Sequence, residues 1–169
     1  MPPIYLLFLM LASLLSAHTE QLSGHSLDNA PQDLGLLHDT HGAPLLHQLY
    51  YPHERLLHVR WFGNLTAETV VTGAQAVLET QQKLPCLLVL NDKQTSTGDW
   101  TEAMEWLEFE WLPQAYGLGL RAFAYVFAPD LHNQLSSLDF VNRTSQVLSI
   151  QVFYDTDTAL SWLRAQGLR

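Results

Sequence analysis

Apolar and polar positions alternate along this chain at two spacings, and the switches between them outline its elements. Leu45-Leu46-His47-Gln48-Leu49-Tyr50 and Leu56-Leu57-His58-Val59-Arg60-Trp61-Phe62 read as strands, joined through Tyr51 to Arg55 with Pro52 fixing a turn. They predict an antiparallel hairpin, with Leu57, Val59 and Trp61 on one face and His58 and Arg60 on the other. Thr66 suits a helix N-cap, Glu68 suits the first turn, and Val70, Ala74, Val77, Leu78 and Gln81 form one stripe of a helix reaching about Lys83, where Pro85 stops it. Cys86 to Leu90 is apolar without alternation, as in a strand covered on both faces. Asn91 to Gly98 reads as a polar loop at that strand's carboxyl end, the edge where open α/β sheets carry their sites.

Asp99 and Glu102 have capping-box spacing, and Trp100, Met104, Leu107 and Trp111 then recur on one helical face. Pro113 and Gly117 end that helix. Arg121 to Phe127 predicts a strand, and Pro129-Asp130 opens a short helix with Leu131, Leu135 and Leu138 at helical spacing. Asn142-Arg143-Thr144 reads as a turn and, like Asn64-Leu65-Thr66, is a glycosylation sequon. Val147 to Tyr154 is a further strand; Asp155 or Thr156 caps a last helix with Ala159, Leu160 and Leu163 inward and Gly167 at C′. The order β-β-α-β-α-β-α-β-α predicts an α/β fold, a mixed, mostly parallel sheet of about five strands with helices packed on it, over residues 45–169.

Ahead of that domain two regimes are expected. Residues 1–17 contain an apolar run, Ile4 to Leu15, short of the ~20 residues that span a bilayer. Its length suits a signal-peptide core with a cut after Ala17, although no Lys or Arg precedes it. A start at Met10, or a segment packing on the domain, are the other readings. Residues 18–44 are polar and broken by Gly24, Pro31, Gly35, Gly42 and Pro44, which predicts a flexible lead-in. His38 and His41 stand three apart, but the flanking glycines argue against the helix that would aim both at one metal, so no metal site is assigned.

Composition narrows the function classes. Of 169 residues, 47% are hydrophobic and five are Trp, enough for one packed core. The net charge of −9, from 8 Lys+Arg against 17 Asp+Glu, comes without a basic cluster and excludes nucleic acid as a partner. Cys86, the single cysteine, reads as a small buried hydrophobe. Neither a nucleophile elbow, a phosphate-binding glycine loop nor a His-Glu-x-x-His helix occurs, so the chain is read as a non-enzyme with no cofactor. Asp92, Lys93 and Asp99 remain the nearest thing to an acid/base set.

Two stretches carry a family resemblance: Trp106 to Pro113 before Gly117 and Arg121, and Phe153-Tyr154-Asp155 before Ala159-Leu160-Ser161-Trp162-Leu163. With the element order, they resemble stand-alone bacterial STAS-like proteins, relatives of the anti-sigma-factor antagonists. That resemblance implies a regulatory or protein-interaction domain, cytoplasmic unless residues 1–17 direct export, and at a membrane only if that segment is kept as an anchor. It also implies a switch loop at 91–98, with Thr95, Ser96 and Thr97 in the place of the phosphorylated Asp-Ser-Ser-Gly turn. Thr95 stands where Asp belongs, and Asp99 would repel a phosphate there. Asp92, Lys93, Trp100 and Trp111 then form the expected contact or ligand surface. The alternative is a carrier of a small apolar ligand or lipid, its pocket lined by Trp100, Trp106, Trp111, Phe123 and Tyr125.

Overall fold

A computed structural model describes residues 30–167; the apolar run and its proposed cleavage site lie outside them. Six strands form one mixed sheet in sequence order: β1 (Gln32–His38), β2 (Pro44–Tyr51), β3 (Leu56–Asn64), β4 (Leu88–Thr97), β5 (Ala122–Val126) and β6 (Ser149–Phe153). β1, β2 and β3 pair antiparallel, and β3 to β6 pair parallel.

The parallel strands are joined by α1 (Ala67–Lys83), by the composite helix α2 (104–117), and by α3 (Leu131–Thr144). Every crossover steps the same way across the sheet, so right-handed connections place all three helices on one face. α4 (Thr156–Ala165) follows the last strand and covers the other face. Two cores result. Under α1, α2 and α3 lie Leu46, Leu57, Val59, Trp61, Val89, Phe123 and Tyr125; under α4 lie Leu56, Leu88, Leu90, Ala124 and Val126. β4 and β5 are thus covered on both faces, which is why Leu88 to Leu90 is apolar throughout.

Local chemistry explains the boundaries. The hairpin turn is a 3₁₀ turn, Pro52–Glu54, closed by Arg55 at φ 48°. Thr66 caps α1 and forms a reciprocal box with Thr69, and Asp155 caps α4 through the Thr158 N–H at 2.8 Å. α2 runs as an α-turn (Met104–Trp106), a π-turn (Leu107–Trp111) and an α-segment (Leu112–Gly117). Pro113 explains the wide turn: it lacks an N–H and its ring crowds the carbonyl four residues back, so the backbone loosens there.

Several expectations are corrected. The lead-in supplies a strand, β1, so the sheet has six strands rather than about five. Asn91 to Thr97 is no loop: it continues β4, and Asn91, Asp92 and Thr95 find side-chain partners along β3. Glu102 makes no capping box; Asp99 instead accepts from the Thr101 N–H at 2.9 Å, and a 3₁₀ turn over Thr101–Ala103 precedes α2. Asn142 to Thr144 is the last turn of α3, not a break. Leu131, Leu135 and Leu138 are exposed, since α3 turns Asn133, Ser136, Ser137 and Phe140 inward. None of the described helices is long and apolar enough to cross a membrane.

Candidate functional site

The helix-covered face holds the site with the clearest chemistry. Asp92 and Lys93 are chain neighbours, so strand alternation sends them to opposite faces. A bulge sharpens the separation: Arg60 pairs with Asp92 and Phe62 with Thr95, which leaves Lys93 and Gln94 opposite Trp61 alone. Bulges of this kind re-aim side chains. Lys93 is only 2% exposed and enters a cavity of about 40 Å³ between the sheet, α1, α2 and α3.

The walls of that cavity are almost wholly apolar. Trp61, Trp100 and Tyr125 surround the ammonium position, their ring centroids 4.8, 3.8 and 5.9 Å from Nζ. Trp111 and Phe123 meet edge to face nearby, and Phe140 packs against both. Asn91 is satisfied, accepting from Trp61 Nε1 at 2.7 Å, and the Tyr125 phenol lies 2.7 Å from the Ser137 hydroxyl. By contrast, Lys93 Nζ, Trp100 Nε1 and Trp111 Nε1 are buried and have no hydrogen-bond partner among the described residues.

Burial without a neighbouring carboxylate pushes the Lys93 amine well below the ordinary lysine range. The same cause pushes the Tyr125 phenol upward, against its hydrogen bonds from Ser137 and Asn91. Burial thus disfavours the charged form of both side chains, and no other charged side chain among the described residues lines the cavity. This arrangement can offer a lone pair and two indole N–H donors to a small guest, in surroundings that exclude ions.

The opposite face carries a separate polar group. His58 Nε2 lies 3.4 Å from Asp92 Oδ2 and Arg60 Nε lies 4.0 Å from the same oxygen. Burial tends to raise the Asp92 carboxyl, but His58, the Gln94 N–H and Arg60 outweigh it and hold it below its ordinary value. Asp92 is thus an ion-pair partner rather than an acid for Lys93. Asp99 is also occupied, accepting from the Thr101 and Ser136 hydroxyls at 2.6 and 3.0 Å. The acid/base set suggested by spacing is dispersed over three environments.

Two of the three hydroxyls of the expected switch, those of Thr95 and Ser96, bond to carbonyls of the sheet. Thr95 donates to the Trp61 carbonyl at 2.7 Å, and Ser96, 1% exposed, donates to the Lys93 carbonyl at 2.9 Å. Thr97 is exposed, but its carbonyl accepts from the Leu65 N–H at 2.8 Å. Of the five aromatic residues expected to line a pocket, Trp100, Trp111, Phe123 and Tyr125 line this one and Trp106 does not; Trp61 takes its place. The sequence groups Lys93 with Trp100 and Trp111 in the expected contact or ligand surface, and the cavity brings these three together without Asp92. Trp61 is the lining residue not expected there; its signal is its alternation with His58 and Arg60 on β3. Among the described residues, no three His, Cys, Asp or Glu side chains converge as a metal site would require.

The chain matches no family model, no curated protein and no solved structure.

Proposed function

We propose that this chain is a small-molecule-binding domain whose site is the aromatic cavity beneath α1, α2 and α3. One observation carries the reading: three buried nitrogens on its lining residues are without partners, at a cost of about 1–3 kcal/mol each, and a bound acceptor would satisfy them. The guest is small and uncharged, because a cavity of about 40 Å³ admits little more than a few heavy atoms without repacking. A larger apolar guest or lipid needs α2 to move, and its π-turn is the place where that helix is least tightly bonded. Native mass spectrometry of freshly purified full-length chain tests the proposal. Retained mass, lost in Trp111→Ala, is expected; a clean apo mass together with unchanged Trp fluorescence across small alcohols, ketones and aldehydes would reject it.

The second reading is a non-enzymatic, STAS-like regulatory or interaction domain. Element order supports it, and so does the row of Leu131, Leu135 and Leu138 on α3, which are 65%, 58% and 43% exposed. Apolar residues repeated on one solvent face mark contact surfaces. The contact surface then shifts from the 91–98 segment to α3. A partner retained by the wild type and lost by Leu131→Glu/Leu135→Glu would support this reading, and identical recoveries by both would remove it.

A further inference from the structure

We infer that the guest of the aromatic cavity is a short-chain apolar aldehyde or ketone, held covalently as an imine on Lys93 Nζ. The inference rests on the binding function proposed above and specifies its chemistry. Its geometric basis is the placement of the amine. The β4 bulge turns Lys93 into the cavity, three aromatic rings enclose its end, and no carboxylate or carbonyl engages it.

A lysine kept only for structure would ordinarily pair with an acid or extend its tip to water, whereas Lys93 meets only the faces of Trp61, Trp100 and Tyr125. Here the acids adjacent in sequence and space are committed elsewhere, Asp92 to His58 and Arg60 on the far face and Asp99 to Thr101 and Ser136. Burial without a carboxylate weakens the hold of such an amine on its proton, which makes its lone pair more available to an electrophile. Cavity and amine also match in polarity: apolar walls accept a hydrocarbon tail and reject carboxylated or phosphorylated carbonyl compounds.

The reaction balances without redox chemistry. The Nζ lone pair attacks the carbonyl carbon and forms the C–N bond while the carbonyl π electrons move to oxygen. The buried indole N–H groups of Trp100 and Trp111 are the donors available to the charge that develops there. Both amine hydrogens pass to that oxygen, which departs as water as the C=N bond closes. The protein gains the aldehyde's mass less one water.

The chain contains just two lysines, and Lys83 is exposed at the end of α1, so each molecule carries its own control. Full-length protein is incubated at pH 7 with propanal and sodium cyanoborohydride, which reduces the imine to a stable amine, and peptides are mapped by mass. Labelling of Lys93 should exceed that of Lys83 by at least about tenfold, since an ordinary lysine keeps far below 1% of its amine unprotonated at that pH. In urea the preference should vanish. Lys93→Met should lose the adduct, while 1-propanol, which cannot form an imine, should change the Trp fluorescence of the wild-type protein. Labelling confined to Lys83 and the terminal amine, or equal at both lysines under native conditions, overturns the imine. If 1-propanol still perturbs the Trp residues in that case, the binding function stands; if it does not, both fall.

Discussion

Replacing Lys93 with Met tests the electrostatics of the cavity directly. In the folded protein the amine is buried without a partner, and in the unfolded chain it is an ordinary lysine. Its folded value is depressed, so between that value and the ordinary 10.5 the unfolded chain binds more protons. Stability must then rise with pH through this window, by at most one proton's worth, about 1.4 kcal/mol per pH unit. From pH 7 to 9 the wild type should gain up to about 2.7 kcal/mol on Lys93→Met. At pH 7 the variant should be at least as stable as the wild type, because a near-isosteric apolar swap costs under about 1.5 kcal/mol. Removal of an unsatisfied buried donor returns about 1–3 kcal/mol. A second pH dependence sets in above the ordinary thiol value of 9.0. Burial pushes the Cys86 thiol up to about 12, so its contribution is present below the ordinary thiol value and is lost as pH rises toward 12. That effect is common to both proteins and cancels in their difference. Urea unfolding followed by Trp fluorescence at pH 7, 8 and 9 gives the two curves. Parallel curves would refute the reasoning, for they would show the lysine titrating alike in both states.

Gly73→Ala should destabilise the protein although alanine favours helices by about 1 kcal/mol, since the new Cβ would stand 2.5 Å from the Trp61 indole. Overpacking of about 1–3 kcal/mol should outweigh the propensity and lower the melting temperature. Asp92→Asn should weaken the protein at pH 7 and flatten the acid limb of its stability curve. The Asp92 carboxyl is held below its ordinary value, so its contribution is present above 3.8 and is lost as pH falls through the folded value, which acid titration by circular dichroism would follow. Leu135→Glu should change unfolding free energy by less than about 0.5 kcal/mol, because this leucine faces solvent; a larger loss in urea melts would place it in a core.

The elements that were legible in the sequence are those whose burial follows one period. α1 shows its stripe because every third or fourth residue meets the sheet, and Val70, Ala74, Val77, Leu78 and Gln81 are all buried. The Trp stripe of α2 held for the same reason, although the π-turn inside it leaves no periodic trace and was signalled only by Pro113. α3 misled because its inward face is polar: Ser137 bonds the Tyr125 phenol, and Asn133 Nδ2 donates to the Thr97 carbonyl at 3.3 Å. Its leucines keep helical spacing on the wrong side. β1 leaves little trace in the sequence because it is an exposed edge strand whose leucines are exposed or half-buried, with register breaks around Gly35 and His38.

The same argument explains why Asn91-Asp92-Lys93 read as a loop and is a strand. Three consecutive polar residues break an apolar run in sequence, but in a sheet each is judged by its own face and its own neighbour. Asn91 meets the Trp61 N–H and Asp92 meets His58 and Arg60, so β3 had already supplied the partners that make two of the three affordable inside the fold. Lys93 is the exception, with no hydrogen-bond partner among the described residues and no exit to water. A local rule broken in a segment where its neighbours obey it marks Lys93 more sharply than a loop full of polar groups would, because only the rings of Trp61, Trp100 and Tyr125 offset its burial. The bulge strengthens the point, since without the extra residue opposite Trp61 the strand would keep regular pairing beyond Asp92. Irregular backbone and an unpartnered buried amine thus coincide at one residue, which is why the proposed imine is sought at Lys93.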